Sequence, residues 1–312
     1  MVGVTEVYNT LWIGLIYMVL GLPLTLSYRT TGIINFVHIN FITIGAYVGV
    51  LLSLLGIKNV FIVALFAFAV GAAIAVFDNV AVFKPLAKRG ANVVILMVAS
   101  LGLWIFYKYF IYAIVDIIGK VVRENLVSVI LELDILPSFT VGSIGIDGKF
   151  LTTLTLSALV AFFYYFVLIR TSVGKAIRAV SDNPQLAEIS GIPRDRVVNF
   201  MWVMTGGAAA IGGLLWGMFA IVTPEVGDWL ILQIFAVAVI GGLSSLVNTA
   251  IGAFIIAGAE NIVMAALHEA FGLPLSFRPF ITFMVLVIVI LVKPPLGAGG
   301  GLPYRFLKPK KR

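Results

Sequence analysis

The sequence contains no cysteine, which excludes a disulfide framework and thiol chemistry. It has two histidines, and with no cysteine beside them the usual metal ligands are too few for a site. Charge is scarce as well: Asp, Glu, Lys and Arg make up 11% of the chain, against about 25% in a soluble domain. No G-x-x-x-x-G-K-[ST] occurs, so the chain has no P-loop for ATP. The "GAGGG" near the C-terminus is no substitute, because no strand is expected before it and no helix after it. H-E-x-x-H and G-x-S-x-G are also missing, which leaves an intramembrane enzyme without a visible constellation.

What is there is apolar. Hydrophobic residues are 61% of 312, more than a soluble fold of this size can keep from water. The sequence therefore predicts an all-α integral membrane protein, a single transmembrane domain over 1–312, with lipid around its sides. Nine segments approach the roughly 20 apolar residues of a span: 7–28, 32–55, 59–83, 91–118, 149–169, 197–222, 230–247, 249–268 and 279–292. About eight or nine transmembrane helices are expected, one or two of them interrupted. The opening "MVGVTEVYNT" lacks a basic region and a cleavage site, so the first run reads as a retained helix.

Loop charge sets the expected topology. Lys84, Lys88 and Arg89 share one loop, and Arg170, Lys175, Arg178, Arg194 and Arg196 belong to 170–196. Arg305, Lys308, Lys310, Lys311 and Arg312 lie in the tail 293–312. All three regions are expected to be cytoplasmic, including the C-terminus. The net charge of +7 is thus assigned to loops and not to nucleic acid. The external loop 119–148 carries Glu124, Glu132, Asp134 and Asp147, and "PSFTVGSIGIDGKF" suggests a small hairpin. Glu225 and Asp228 fall in a second external loop, 223–229. The N-terminus is outside if 32–55 crosses fully and inside if it dips and returns.

Two segments look broken by glycine and small polar residues at membrane depth. They are "TTGIINFVHINFITIGAY" (30–47) and "IGGLSSLVNTAIGAFIIAGAEN" (240–261), one in each half. Paired breaks point to a transport pathway at a repeat interface. Asn35, Phe36, His38, Asn40, Gly241, Gly242, Ser244 and Glu260 are the candidate pathway residues. Ionisable groups in a bilayer face the protein or a water-filled cavity. For His38 and Glu260 an interhelical hydrogen bond competes with a pathway role. Asp78 is expected to pair with Lys84 or another basic residue at the rim. Gly213-xxx-Gly217 in "TGGAAAIGGLLWG" reads as close helix packing.

One charged insert stands apart: "GKAIRAVSDNPQLAEISGI", 174–192. It reads as two short helices, the first near 173–181. Asn183 caps the second, Pro184 opens it, Gly191 stops it and Pro193 follows. Leu186, Ala187 and Ile189 form its apolar face, while Lys175, Arg178 and Glu188 meet water or a partner. A capped helical pair of this kind suits docking into a groove of another protein.

Here the residues resemble a known family. Gly174, Lys175, Ala176, Arg178, Ala179, Asp182, Ala187, Gly191 and Ile192 fall on the coupling-helix pattern of ABC importer permeases of the LivH/LivM branched-chain amino acid family. "GIINFVHINFITIGAYV", "DNVAVFKPLAKRG", the 240–261 segment and "LVKPPLG" resemble further blocks of that family, in order, from about residue 10 to 297. Ile39, Asn40, Ser244, Val247 and Asn248 depart from its usual residues. The resemblance implies an ATP-driven importer subunit for Leu, Ile, Val or other amino acids, with Gly174, Lys175, Arg178, Ala179, Asp182, Ala187 and Gly191 coupling to the ATPases. It implies no cofactor in this chain, with ATP and Mg on partner subunits. The implied partners are ABC ATPase subunits, a second, homologous permease, an extracytoplasmic substrate-binding protein and lipid. The implied location is a prokaryotic plasma (inner) membrane. A permease for urea, amides or other small polar solutes, and an ion-coupled secondary carrier, remain alternatives.

Overall fold

Helices dominate because an apolar chain in lipid must satisfy its backbone polar groups within each segment. The structure, a computed structural model, describes residues 3–141 and 144–292. The basic tail 293–312 and most of the "LVKPPLG" block lie outside the described residues, as does the tip of the expected hairpin. The elements run α1 (Val4–Thr31), α2 (His38–Leu54) and α3 (Val60–Asp78). A π-helical turn at Asn79–Phe83 joins α3 to α4 (Lys84–Lys88), and α5 (Val93–Val122) follows. The hairpin β1 (Phe139–Val141) and β2 (Ile144–Ile146) precedes α6 (Gly148–Tyr165), which ends in a π turn at Phe166–Arg170. Then come α7 (Ser172–Asp182), α8 (Pro184–Ile189), α9 (Arg194–Phe219), α10 (Val226–Ile240) and α11 (Leu246–Gly258). A third π turn, Ala259–Val263, leads to α12 (Met264–Phe271), and α13 (Arg278–Val292) closes the described chain.

Among the described residues seven helical spans are long and apolar enough to cross a membrane, and α2 and α10 are two shorter apolar helices between them. The molecule has two faces. One gathers the start of α1, the hairpin and the connections before and after them. Tyr8 Oη accepts from the Asp147 amide, Ser53 donates to the Glu132 carbonyl, and Val129 bridges Val222. The other face carries α7 and α8, where Ser181 meets Thr30 at the end of α1 and Lys84 pairs with Asp195.

α9 is the central post, buried along most of its length. Its small residues allow backbone-to-backbone approach. A Cβ on Gly213 would strike the Ile42 carbonyl of α2, and one on Gly206 would strike the Gly71 carbonyl of α3. The Gly213 part of the packing expectation holds. By contrast, α13 and much of α5 show apolar side chains outward, where lipid or another subunit covers them.

Candidate functional site

The break expected in the first half is present. α1 ends at Thr31 with Gly32 in a left-handed cap (φ 70°), and residues 32–37 then turn back along the bundle. α2 begins beside Leu20 of α1, whose carbonyl lies 3.1 Å from His38 Nε2. Leu20 is about 16 Å above the end of α1 at 1.5 Å per residue. The non-helical backbone at this depth is covered by protein, which is how such backbone is tolerated in a membrane. The Phe36 amide donates to Ser100 Oγ (3.2 Å), the Val37 amide to Asn35 Oδ1 (3.1 Å), and Asn40 Nδ2 to the Trp104 carbonyl (3.2 Å). Segment 32–37 and α2 together therefore span the bundle, and α1 starts on the hairpin face.

The second break is not where the sequence placed it. Residues 241–245, with Gly242 and Leu243 at φ 71° and 57°, are the turn between α10 and α11. Gly241 packs against Thr249, and Thr249 bonds Thr25 at 2.9 Å near the α7–α8 face. The break lies instead at 220–225, before α10. The Gly227 amide donates to Thr43 Oγ1 (3.1 Å), so α10 starts deep inside the bundle beside α2. α2 and α10 are thus two half-helices with N-termini at neighbouring depths. They run to opposite faces, an inverted arrangement. Phe36 and Phe235 stack across them with ring centroids 5.5 Å apart.

The inversion extends to an acid-Asn pair in each half. Asp78-Asn79 opens the first π turn and Glu260-Asn261 sits in the third. Asp78 accepts from Tyr107 Oη of α5 at 2.6 Å, and Asn79 bonds Asn199 of α9 at 2.6 Å. Asp78 is fully buried, and Lys84 goes to Asp195 at 2.7 Å; the expected Asp78–Lys84 rim pair does not form. Lys84 lies beyond the π turn, where Pro85 has removed a helical amide, and it points away from Asp78 toward the base of α9. Glu260 accepts from Tyr17 Oη of α1 (2.6 Å), from the Thr282 hydroxyl of α13 and from Gln233 of α10. Its carboxylate ties three helices together, the interhelical role the sequence left open. Of the pathway candidates, Asn35, Phe36, His38 and Asn40 are brought together at the first break. Gly241, Gly242 and Ser244 sit at the end of α10, about 22 Å from its start.

The sequence reading missed Lys108. It stands fifteen residues, about 22 Å, into the 30-residue α5, at its midpoint. Its Nζ lies 2.7 Å from Asp228 and 3.1 Å from Glu225, and Trp104 Nε1 donates to Asp228 at 2.7 Å. Glu225 and Asp228 therefore lie at depth and not in an external loop. A lone lysine in the middle of segment 91–118 was the available signal.

The insert at 172–189 folds as two capped helices. Thr171 caps α7 through the Gly174 amide (3.1 Å), and Asn183 caps α8 through the Leu186 amide (3.0 Å). Gly191 ends it at φ 84°. A Cβ at Gly174 would strike the Val167 and Leu168 carbonyls of the preceding π turn, and Arg178 bonds the Leu168 carbonyl. Arg178 thus turns inward, while Lys175 and Glu188 are exposed. The expected apolar face divides: Ala187 is buried, whereas Leu186 and Ile189 are 60% and 85% exposed.

Among the described residues no group of three or more His, Cys, Asp or Glu could hold a metal ion. Residues 7–290 match the family model described as "Branched-chain amino acid transport system / permease component". The chain is 31% identical over 280 residues (89% of this chain, 86% of the relative) to the probable branched-chain amino acid transport permease protein LivH of Methanocaldococcus jannaschii. It is 24% identical to the high-affinity branched-chain amino acid permease BraD of Pseudomonas aeruginosa and 26% identical to LivH of Escherichia coli K12, over 93% of each chain. No solved structure matches.

Proposed function

We propose a function on one premise: the chain belongs to the family of permease components of branched-chain amino acid transport systems. It is a multi-pass membrane protein and the transport subunit of an ABC importer for amino acids; ATP hydrolysis lies in partner subunits. The finer reading is a permease that moves Leu, Ile or Val inward across a prokaryotic inner membrane. Its partners are two ABC ATPases that bind ATP and Mg, a homologous second permease and an extracytoplasmic substrate-binding protein. The hairpin face is extracytoplasmic, and the α7–α8 face and C-terminus are cytoplasmic, as the positive residues near 84–89 and 170–196 favour.

The observation that carries this reading is α8. Leu186 and Ile189 stand exposed on a short helix whose other side, Ala187, is anchored. Gly174 and Arg178 fix α7 to the π turn ending the α6 span, so a push on α8 is delivered to a transmembrane element. The two opposed half-helices support the pathway, with Asn35, Phe36, His38 and Asn40 near one break and 225–228 at the other. Glu260 supports it from behind as a tie between helices.

The test begins by purifying the intact complex through a tag on this chain and identifying its subunits by mass spectrometry. An ATPase and a second permease are expected. Because Ala187 is buried, the clean coupling variant is Ile189→Asp. It should assemble normally and hydrolyse ATP, yet lose at least tenfold in leucine uptake. Normal uptake would sink the coupling role of α8, and uptake by the isolated chain without ATP would sink the importer reading.

A further inference from the structure

A trough of about 210 Å³ runs along α5 on the side turned to α2 and α3. Tyr47, Tyr107, Ile111, Val115 and Leu126 form its buried floor, and Phe110 stands 49% exposed at its rim. No polar atom faces it. The two tyrosine hydroxyls on its wall are turned to other partners: Tyr47 Oη donates to the Leu126 carbonyl (3.1 Å) and Tyr107 Oη to Asp78 (2.6 Å). Water needs two to four polar partners and finds none here. An amino acid would leave its charged head unmet. Hydrocarbon is what suits the space.

The trough is as long as one leaflet is deep. From Tyr107 to Ile118 it follows α5 for eleven residues, about 16 Å. The hydrocarbon core of a bilayer is about 30 Å thick. Tyr107 lies at the midpoint of α5 and Ile118 near its hairpin-face end, so the trough runs from mid-depth toward that face. There it meets a second pocket, of about 220 Å³, which shares Val115 and Leu126 with it. This one is lined by charge: Asp116, Lys120, Arg123 and Glu124. Lys120 pairs with Asp116 at 2.5 Å. The Arg123 side chain has no partner among the described residues, which leaves it free for an anion. Arg123 also holds φ 60° at the C-cap of α5, where glycine is the usual residue.

We propose that the two pockets together bind one phospholipid of the surrounding membrane, with an acyl tail in the trough and the phosphate on Arg123 at its mouth. Glu124 beside it accepts a headgroup ammonium, which favours a zwitterionic aminophospholipid. The tail has a mechanical role. Ser100, Trp104, Tyr107 and Lys108 bond α5 to the bundle. Beyond Tyr107 the trough stands between α5 and the helices α2 and α3. The lipid fills that gap and steadies the helix whose Trp104 touches both breaks, Asn40 at one and Asp228 at the other. The assignment needs a chain that spans a membrane and does not depend on the importer reading.

The experiment purifies the intact complex through a tag on this chain and counts its retained phospholipids by native mass spectrometry as detergent is stripped. Arg123→Gly keeps the α5 cap, since glycine suits φ 60°. Val48→Phe/Ile114→Phe fills the trough from two walls. Each variant should retain one phospholipid fewer per copy of this chain than wild type. Phosphatidylethanolamine added back to the delipidated wild-type complex should raise its melting midpoint, and Arg123→Gly should lose at least half of that rise. A merely structural Arg123 predicts the opposite, an unchanged lipid count and a melting midpoint equal or higher. Arg123→Gly decides the matter if the filled variant fails to assemble. Full lipid retention in either assembled variant overturns the proposal, and so does a segment of the second permease seated in the trough of the complex.

Discussion

Single residues in this protein are constrained mainly by how close two backbones come and by whether a buried donor finds an acceptor. Gly213 touches the Ile42 carbonyl without a Cβ to spare. Gly213→Val should lower the complex's thermal stability in detergent by about 1–3 kcal/mol, the range for overpacking. Glu260 gives a sharper contrast. Glu260→Leu leaves the donors of Tyr17, Thr282 and Gln233 without their acceptor, at about 1–3 kcal/mol for each buried orphan. Glu260→Gln keeps a carbonyl acceptor and should lose much less in a melting experiment. If the Leu variant melted like wild type but stopped transporting, Glu260 would belong to the pathway and not to the frame.

At the scale of elements, the breaks and the π turns matter most. Segment 32–37 is held at depth by few bonds, one of them from the Phe36 amide to Ser100 Oγ. Ser100→Ala orphans that amide, at about 1–3 kcal/mol. The local cost should appear as faster hydrogen exchange at 33–38, with the α9 amides unchanged. The insert 172–189 was almost wholly readable in advance, because caps, Pro184 and Gly191 are local signals that act within one turn. The sidedness of α8 was not, since which of Leu186, Ala187 and Ile189 is buried depends on where α9 passes.

For the whole molecule, the inverted order of α2 and α10 fixes which loops share a face. The absence of cysteine makes that testable with single introductions. Ile130→Cys, 70% exposed on the hairpin face, should react with an impermeant maleimide in intact spheroplasts. Ile189→Cys should react only after permeabilisation. The reverse pattern would turn the assigned topology over.

The sequence by itself determined the class and a count of about eight or nine helices, because lipid leaves few choices and apolar length is read directly along the chain; its ordered motifs carried the family, while whether 32–55 crosses was left to the structure. It also located the first break, through Asn35 to Asn40, and the capped pair at 174–191. Only the tertiary structure decided the second break. The glycines at 241–242 resemble an interruption locally, yet they serve a turn, while the real break at 220–225 has no comparable run of small residues. The partners of Asp78, Lys84 and Glu260, and the meeting of Lys108 with Glu225 and Asp228, were equally out of reach. Each joins residues far apart in the chain, and their contact exists only once α5, α9 and α10 are packed at specific depths.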